Sequence, residues 1–301
     1  MFGPMAKKRD NCARAPRVLS TCIVPLVLVM PIVSIHTGLC NGQDLGRTVS
    51  LSDQQLLAAF RGKSADELLQ EYLRDPPYPL FAIRRIIDLG DRSVITGLER
   101  AFGRADRELT RQFLAAALVR LGDSHHGYFE YLASGAAVAA ASDLPFPVPL
   151  GSQFDTVLFP VKADFLSWVK KHRADLQFAL WQAVFDLPAA VEALGEAADP
   201  RARSILLSGL KSPNVLVVFE ASLGLARLQD DSCIPKIIAA AKRMEHEERN
   251  LIAKTLLYFT SAKAQRAAER LIEDPARLQR WRAEVDGRGW KEAMRDNGHS
   301  R

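Results

Sequence analysis

The sequence predicts an all-α chain: a right-handed α-solenoid of helical hairpins stacked in a line and broken once by an irregular insertion. Three observations predict it. A short hinge recurs, as "DLGD" at 88–91, "RLGD" at 120–123 and "RLQD" at 227–230. With the apolar residue of each hinge as a landmark, Leu89, Leu121, Leu194, Leu228 and Phe259 are spaced by 32, 73, 34 and 31 residues, so three of four intervals share a period. Strand signals are scarce, and apolar residues recur at helical spacing on both sides of each hinge, as in "AIRRIIDLGDRSVITGLERAF" and "ASLGLARLQDDSCIPKIIAAA". A helix pair of this size is marginal in water, because it cannot bury its apolar face alone. Stacking pair on pair gives each face a neighbour, so the hinge recurs because the structural unit recurs.

Residues 1–40 read as an export signal: a basic start, an apolar stretch from Val18 to Ile35, then the polar exit "HTGLCNGQ". Pro25 and Pro31 interrupt the apolar stretch, which favours cleavage, with Gly38 and Cys40 as the small residues before a cut at Asn41. The alternative is an uncleaved N-terminal segment that anchors the chain to a membrane. Acylation of Cys40 is disfavoured, since Thr37 and Leu39 reverse the order a lipoprotein site needs. Either way the expected location is periplasmic or extracellular. This segment also carries +4 of the formal charge of +5, through Lys7, Lys8, Arg9, Arg14 and Arg17 against Asp10. The remaining chain is close to neutral, which argues against a nucleic-acid partner.

Residues 41–74 form a linker and N-terminal capping helices, opened by the capping boxes Ser52/Gln55 and Ser64/Glu67. Repeats follow at 75–134 and 184–273. Asp or Ser at each break caps the second helix, and Pro235 falls in a first helical turn, where a missing N–H does least harm. Gly97 and Gly224 sit inside helices at a cost near 1 kcal/mol each relative to Ala, which predicts close helix approach there. Between the repeats, residues 135–183 form the insertion: the run "SGAAVAAASD", a proline-rich loop, and aromatic-bearing helices with Phe146, Phe154, Phe159, Trp168 and Trp181. These aromatics anchor a plug on the core or face a ligand. Residues 274–301, with Trp281 and Trp290, read as a capping helix and tail.

The stretch "SPNVLVVFEASLGLARLQDDSCIPKII" resembles the short HEAT-like repeats named after phycobiliprotein lyases, in which a proline-marked turn precedes "A…L…LGD…A…L". The resemblance covers roughly residues 75–134 and 185–273, and the whole chain is similar to exported bacterial HEAT-repeat proteins without an assigned activity. Its motifs encode packing and not chemistry, so the lyase activity does not follow. "YFTSA" at Tyr258 and "HHG" at His125 depart from the pattern.

The resemblance implies that the second helices line a concave wall. They carry Arg92, Arg100, Arg201, Arg203, Lys236, Lys242, Arg266 and Arg270 between their apolar positions, with few acids among them. Long cations on such a face either solvate it or hold an acidic protein partner. The function expected is a non-enzymatic interaction scaffold. The alternative is a lyase-like or nucleic-acid-acting enzyme on the same scaffold. Phosphate loops, nucleophile elbows, His-Glu-x-x-His and Cys-x-x-Cys pairs do not occur, so no catalytic residue, cofactor or metal is expected. Cys233, the one cysteine outside residues 1–40, reads as buried and structural.

Overall fold

The computed structural model describes residues 60, 62–73, 79–122, 127–145 and 182–287. The expected export segment and cleavage point, the Ser52/Gln55 box, His125, His126, the aromatics from Phe146 to Trp181, and Trp290 lie outside the described residues. By its contacts the chain divides into Met1–His36 and Thr37–Arg301, and everything described belongs to the second unit.

Among the described residues the chain is all-helical, with no strand. Its α-helices are α1 (Ala65–Leu73), α2 (Pro79–Leu89), α3 (Ile95–Arg104), α4 (Glu108–Arg120), α5 (Tyr128–Ala141), α6 (Leu187–Glu196), α7 (Arg203–Gly209), α8 (Val215–Arg227), α9 (Ile234–Lys242), α10 (His246–Thr255), α11 (Ala262–Leu271) and α12 (Pro275–Gly287). The Ser64/Glu67 box forms as the sequence predicts: the Glu67 N–H donates to Ser64 Oγ at 3.2 Å, and the Ser64 N–H donates to Glu67 Oε2 at 2.8 Å.

The recurring hinge has one backbone geometry in four of its five copies. A residue with positive φ ends the first helix at Gly90 (65°), Gly122 (87°), Ala198 (46°) and Gln229 (52°). At three of these hinges the next residue is an aspartate whose side chain accepts the backbone N–H two residues on: Asp91 from Ser93 at 2.9 Å, Asp199 from Arg201 at 2.8 Å, Asp230 from Ser232 at 2.9 Å. Each aspartate opens a short 3-10 turn, Arg92–Val94, Pro200–Ala202 or Asp231–Cys233, that leads into the second helix. Counted from the aspartate, the third, seventh and tenth residues are buried in all three: Val94, Leu98, Ala101; Ala202, Leu206, Gly209; Cys233, Ile237, Ala240. Ser261 takes the aspartate's place in the last hinge, accepting the Ala264 N–H at 3.3 Å, and Ala264 and Ala268 are buried at the third and seventh positions.

This geometry corrects one landmark. The third hinge is "EAAD" at 196–199, so the residue equivalent to Leu89 is Ala197 and not Leu194, which lies inside α6. The intervals become 32, 76, 31 and 31 residues. The hinge was masked because Ala198 adopts a left-handed conformation that usually falls to glycine or asparagine.

Packing follows chain order. The first helices contact one another in the series α2, α4, α6, α8, α10, and each second helix packs on the first helix of the next unit: α3 on α4, α5 on α6, α7 on α8, α9 on α10. Helices α4 and α5 both pack directly on α6, so the units on either side of residues 146–181 are in contact. The helix that begins at Tyr128 continues to Ala141, so the first part of the low-complexity run assigned to the insertion is helix α5. Where the chain re-enters, buried Asn214 caps α8 through the Leu216 N–H at 3.0 Å and donates its amide to the Ala183 carbonyl at 2.7 Å.

Close approach occurs where the glycines predict it. A methyl group added at Gly224 would stand 3.0 Å from Gly195 Cα and from Leu206 Cδ1, so α6 and α8 cross backbone against backbone. Gly97 instead makes room for a side chain, that of Leu69 in α1. At the far end α12 buries Leu278, Trp281 and Val285. The Lys254 and Arg277 cations lie 5.4 and 5.6 Å from the Trp281 ring. No helix among the described residues is long and apolar enough to cross a membrane.

Candidate partner-binding surface

The cations that the sequence singles out divide into two groups. Arg92, Arg100, Lys242, Arg266 and Arg270 fall at the first, fifth, ninth or twelfth place after their hinge aspartate or serine. With about 3.6 residues per turn these places share one helix face, away from the buried third, seventh and tenth. All five are exposed. Lys211, at the twelfth place of the third hinge, joins them; sequence reasoning missed it because the Leu194 landmark hid that register. Lys236 is exposed on the flank of the strip. Arg92 lies across Gly122, with Nη2 3.3 Å from where a side chain there would begin.

Arg201 and Arg203 are engaged by neighbours. Arg201 pairs with Asp199 at 2.9 Å and with Glu130 at 3.4 Å, and its guanidinium stacks 3.9 Å from the centre of the Phe129 ring. Arg203 reaches across to the next hinge, where its Nε donates to Asp230 at 2.6 Å and its Nη2 donates to Ser232 Oγ at 2.8 Å. The Ser232 hydroxyl and Arg203 hold the Asp230 carboxyl well below the usual carboxylate range. These two arginines therefore brace adjoining units, and only part of their charge faces outward.

Helices α5 and α7 give the same side a different character. Ala137 and Ala140 of α5 and Ser204, Ile205 and Ser208 of α7 line a shallow groove of about 240 Å³. Ser204 and Ser208 occupy the fifth and ninth places of their unit, so the groove lies on the strip, and the sequence of α5 carries no cation. The surface has small uncharged side chains along α5 and α7, with Lys211 just beyond α7, and cations in the first unit and the last two, where exposed Glu273 shares the strip.

A second cluster, not anticipated from the sequence, lies between first helices. Arg84 of α2 pairs with Glu192 and stands 3.5 Å from Glu196, both on α6. Arg227 of α8 pairs with Glu196 at a fully enclosed site. Glu220 of α8 is 6% exposed, and its Oε2 accepts no hydrogen bond. Burial pushes the Glu220 carboxyl up to about 7, against the opposing attraction of Arg227 and Arg84, with repulsion from Glu196 adding to the rise. Asp88 stands at the solvent edge of the cluster. Its carboxyl is pushed up to about 6 by crowding and by repulsion from Glu196, and its exposure tempers that effect. One signal was available: Asp88, Arg120, Glu196 and Arg227 all stand three residues before their hinge aspartate, so the charge at this place alternates from unit to unit.

Among the described residues no group of three or more His, Cys, Asp or Glu side chains is placed to hold a metal. Buried Cys233 has its Sγ 3.4 Å from Asp230 Oδ2, and burial together with that carboxylate pushes its thiol up. Comparison with known proteins returns no match: no family model, no curated protein and no solved structure is similar to this chain.

Proposed function

We propose that this chain is an exported, non-enzymatic scaffold whose HEAT-like hairpins stack as a right-handed solenoid and hold an acidic protein segment along their second helices. The observation that carries the reading is the strip itself. Four units each carry an exposed cation at one or two of places one, five, nine and twelve, on either side of a groove lined by alanine, serine and Ile205. Small side chains admit the partner's backbone, and the flanking cations meet its carboxylates. Such rim charges act chiefly on association rate and salt dependence. The N-terminal stretch that reads as an export signal supports an interaction in the cell envelope or outside the cell. A nucleic-acid-acting enzyme is the weaker reading, because the chain beyond residue 40 is nearly neutral.

Fluorescence anisotropy with a labelled glutamate-rich peptide, titrated with residues 41–301 at rising salt, tests this. Reversing Lys242, Arg266 and Arg270 to Glu together should weaken binding by roughly tenfold or more and flatten its salt dependence. Equal affinity for the peptide in the reversed variant, or tighter binding to duplex DNA than to the peptide, would contradict it.

A further inference from the structure

The buried cluster between α2, α6 and α8 is an incomplete salt-bridge network. Two guanidiniums, Arg84 and Arg227, face three enclosed or half-enclosed carboxylates, Glu192, Glu196 and Glu220, with a fourth, Asp88, at the solvent edge. Arg84 is committed to Glu192 and Glu196, and Arg227 to Glu196, which leaves Glu220 as the acid beyond the paired set. An ionised carboxylate enclosed with an oxygen that accepts no hydrogen bond is costly, and the same group carrying a proton is much less so. We propose that this cluster is a proton-operated brace, in which uptake of one proton by Glu220 tightens the tie that Arg84 makes from α2 to the packed pair α6 and α8.

Position supports this. The cluster joins α2 of the first unit to α6 and α8 of the units beyond residues 146–181, so it ties helices that are distant in the chain. The charged groups facing Glu220 are Arg227 on its own helix, Arg84 from α2 and Glu196 from α6. The other helices packed on α8 have their charges engaged elsewhere. Arg203 of α7 is held by Asp230. In α10, Glu247, Arg249 and Lys254 pair with Arg277, Glu273 and Glu284, Glu248 caps its own helix, and His246 faces Glu247.

The sign follows from linkage. Glu220 titrates at about 7 in the folded chain and near 4.5 when unfolded. Its stabilising contribution is therefore complete below the unfolded value and is lost as pH rises through about 7. In the folded protein the brace is closed in mild acid and strained in mild alkali.

Two measurements on the whole chain test this. Carbon-detected NMR of the glutamate side chains should show the Glu220 carboxyl titrating near neutrality; a midpoint below about 5 would overturn the proposal. Amide hydrogen exchange, read as protection factors at pH 6 and pH 8, should show Val215–Arg227 and Leu187–Glu196 roughly threefold or more better protected at the lower pH. In an Asp88→Asn background, which removes the cluster's second raised acid, Glu220→Gln should remove that difference, while His246–Thr255, which holds its own raised acid in Glu248, keeps its pH response. Persistence of the α6 and α8 response in that double variant would overturn the proposal. If that variant does not fold, the wild-type carboxyl titration decides alone.

Discussion

At two hinges a residue with a side chain occupies a left-handed backbone. Ala198, at φ 46°, gains nothing visible in exchange, so Ala198→Gly should stabilise the fold by up to about 1 kcal/mol in chemical denaturation. Gln229, at φ 52°, differs. Its amide donates to the carbonyls of Ala226 at 2.6 Å and Tyr258 at 3.0 Å, and its Oε1 accepts from the N–H and hydroxyl of Thr260 at 2.8 and 2.9 Å. That side chain ties one hinge to the next. Gln229→Gly should therefore destabilise by about 1 kcal/mol despite relieving the backbone, and the opposite signs of the two glycine substitutions check the assignment. The sequence shows glycine in two hinges and a closing aspartate in three, which makes the motif legible. It conceals the alanine hinge, because nothing in "EAAD" announces a positive φ. The buried acids were equally hidden: Glu192, Glu196 and Glu220 look like ordinary helix-surface residues until helices from different units are brought together.

Among helices, the tightest constraint is the crossing of α6 and α8. Gly195→Ala would place a methyl 2.9 Å from Gly224 Cα, against backbone that cannot turn aside. Either Gly195→Ala or Gly224→Ala should cost about 2 kcal/mol or more, seen as a lower denaturation midpoint with little change in helical circular dichroism. A cost within a few tenths of a kcal/mol would mean that the helices stand further apart. Gly224 was legible as a site of close approach because glycine inside a helix needs a reason. Its partner Gly195 was not, since it lies next to a hinge whose register was misplaced. The extent of α5 was also unclear from sequence: an alanine-rich run fits a helix and a low-complexity linker equally, and packing on α6 and α7 decides for the helix.

For the whole molecule, acids whose titration is raised oppose acids whose titration is lowered. Glu220 and Glu248 at about 7 and Asp88 at about 6 favour folding most when protonated, so their contributions fade as pH rises through those values. Hydrogen bonds from the Ser64 and Ser93 backbones lower Glu67 and Asp91, the Ser232 hydroxyl and Arg203 lower Asp230, and the Arg277 backbone lowers Asp274; these contributions fade as pH falls below the ordinary carboxylate range. The melting temperature should peak near pH 5 to 6 and fall toward both pH 8 and pH 3, in contrast to a plateau through neutrality. The repeat unit, its period and its all-helical character could be read from the chain because hinge chemistry and apolar spacing are local. Which helices meet across residues 146–181 could not, because that contact depends on the units on both sides.

The central claim is that the units follow one another along a line. Nitroxide labels at the equivalent exposed positions Ser93, Ser232 and Lys263, with the native cysteines replaced, turn it into a distance measured by pulsed electron resonance. Neighbouring helices pack about 8–10 Å apart, so four steps put Ser93 at most roughly 35 Å from Lys263, shortened by the curvature that the reach of Arg84 from α2 to α6 requires, with Ser232 and Lys263 the closest pair. A Ser93 to Lys263 distance under about 20 Å, or no longer than that between Ser232 and Lys263, would mean that the helices close into a bundle and would contradict the account.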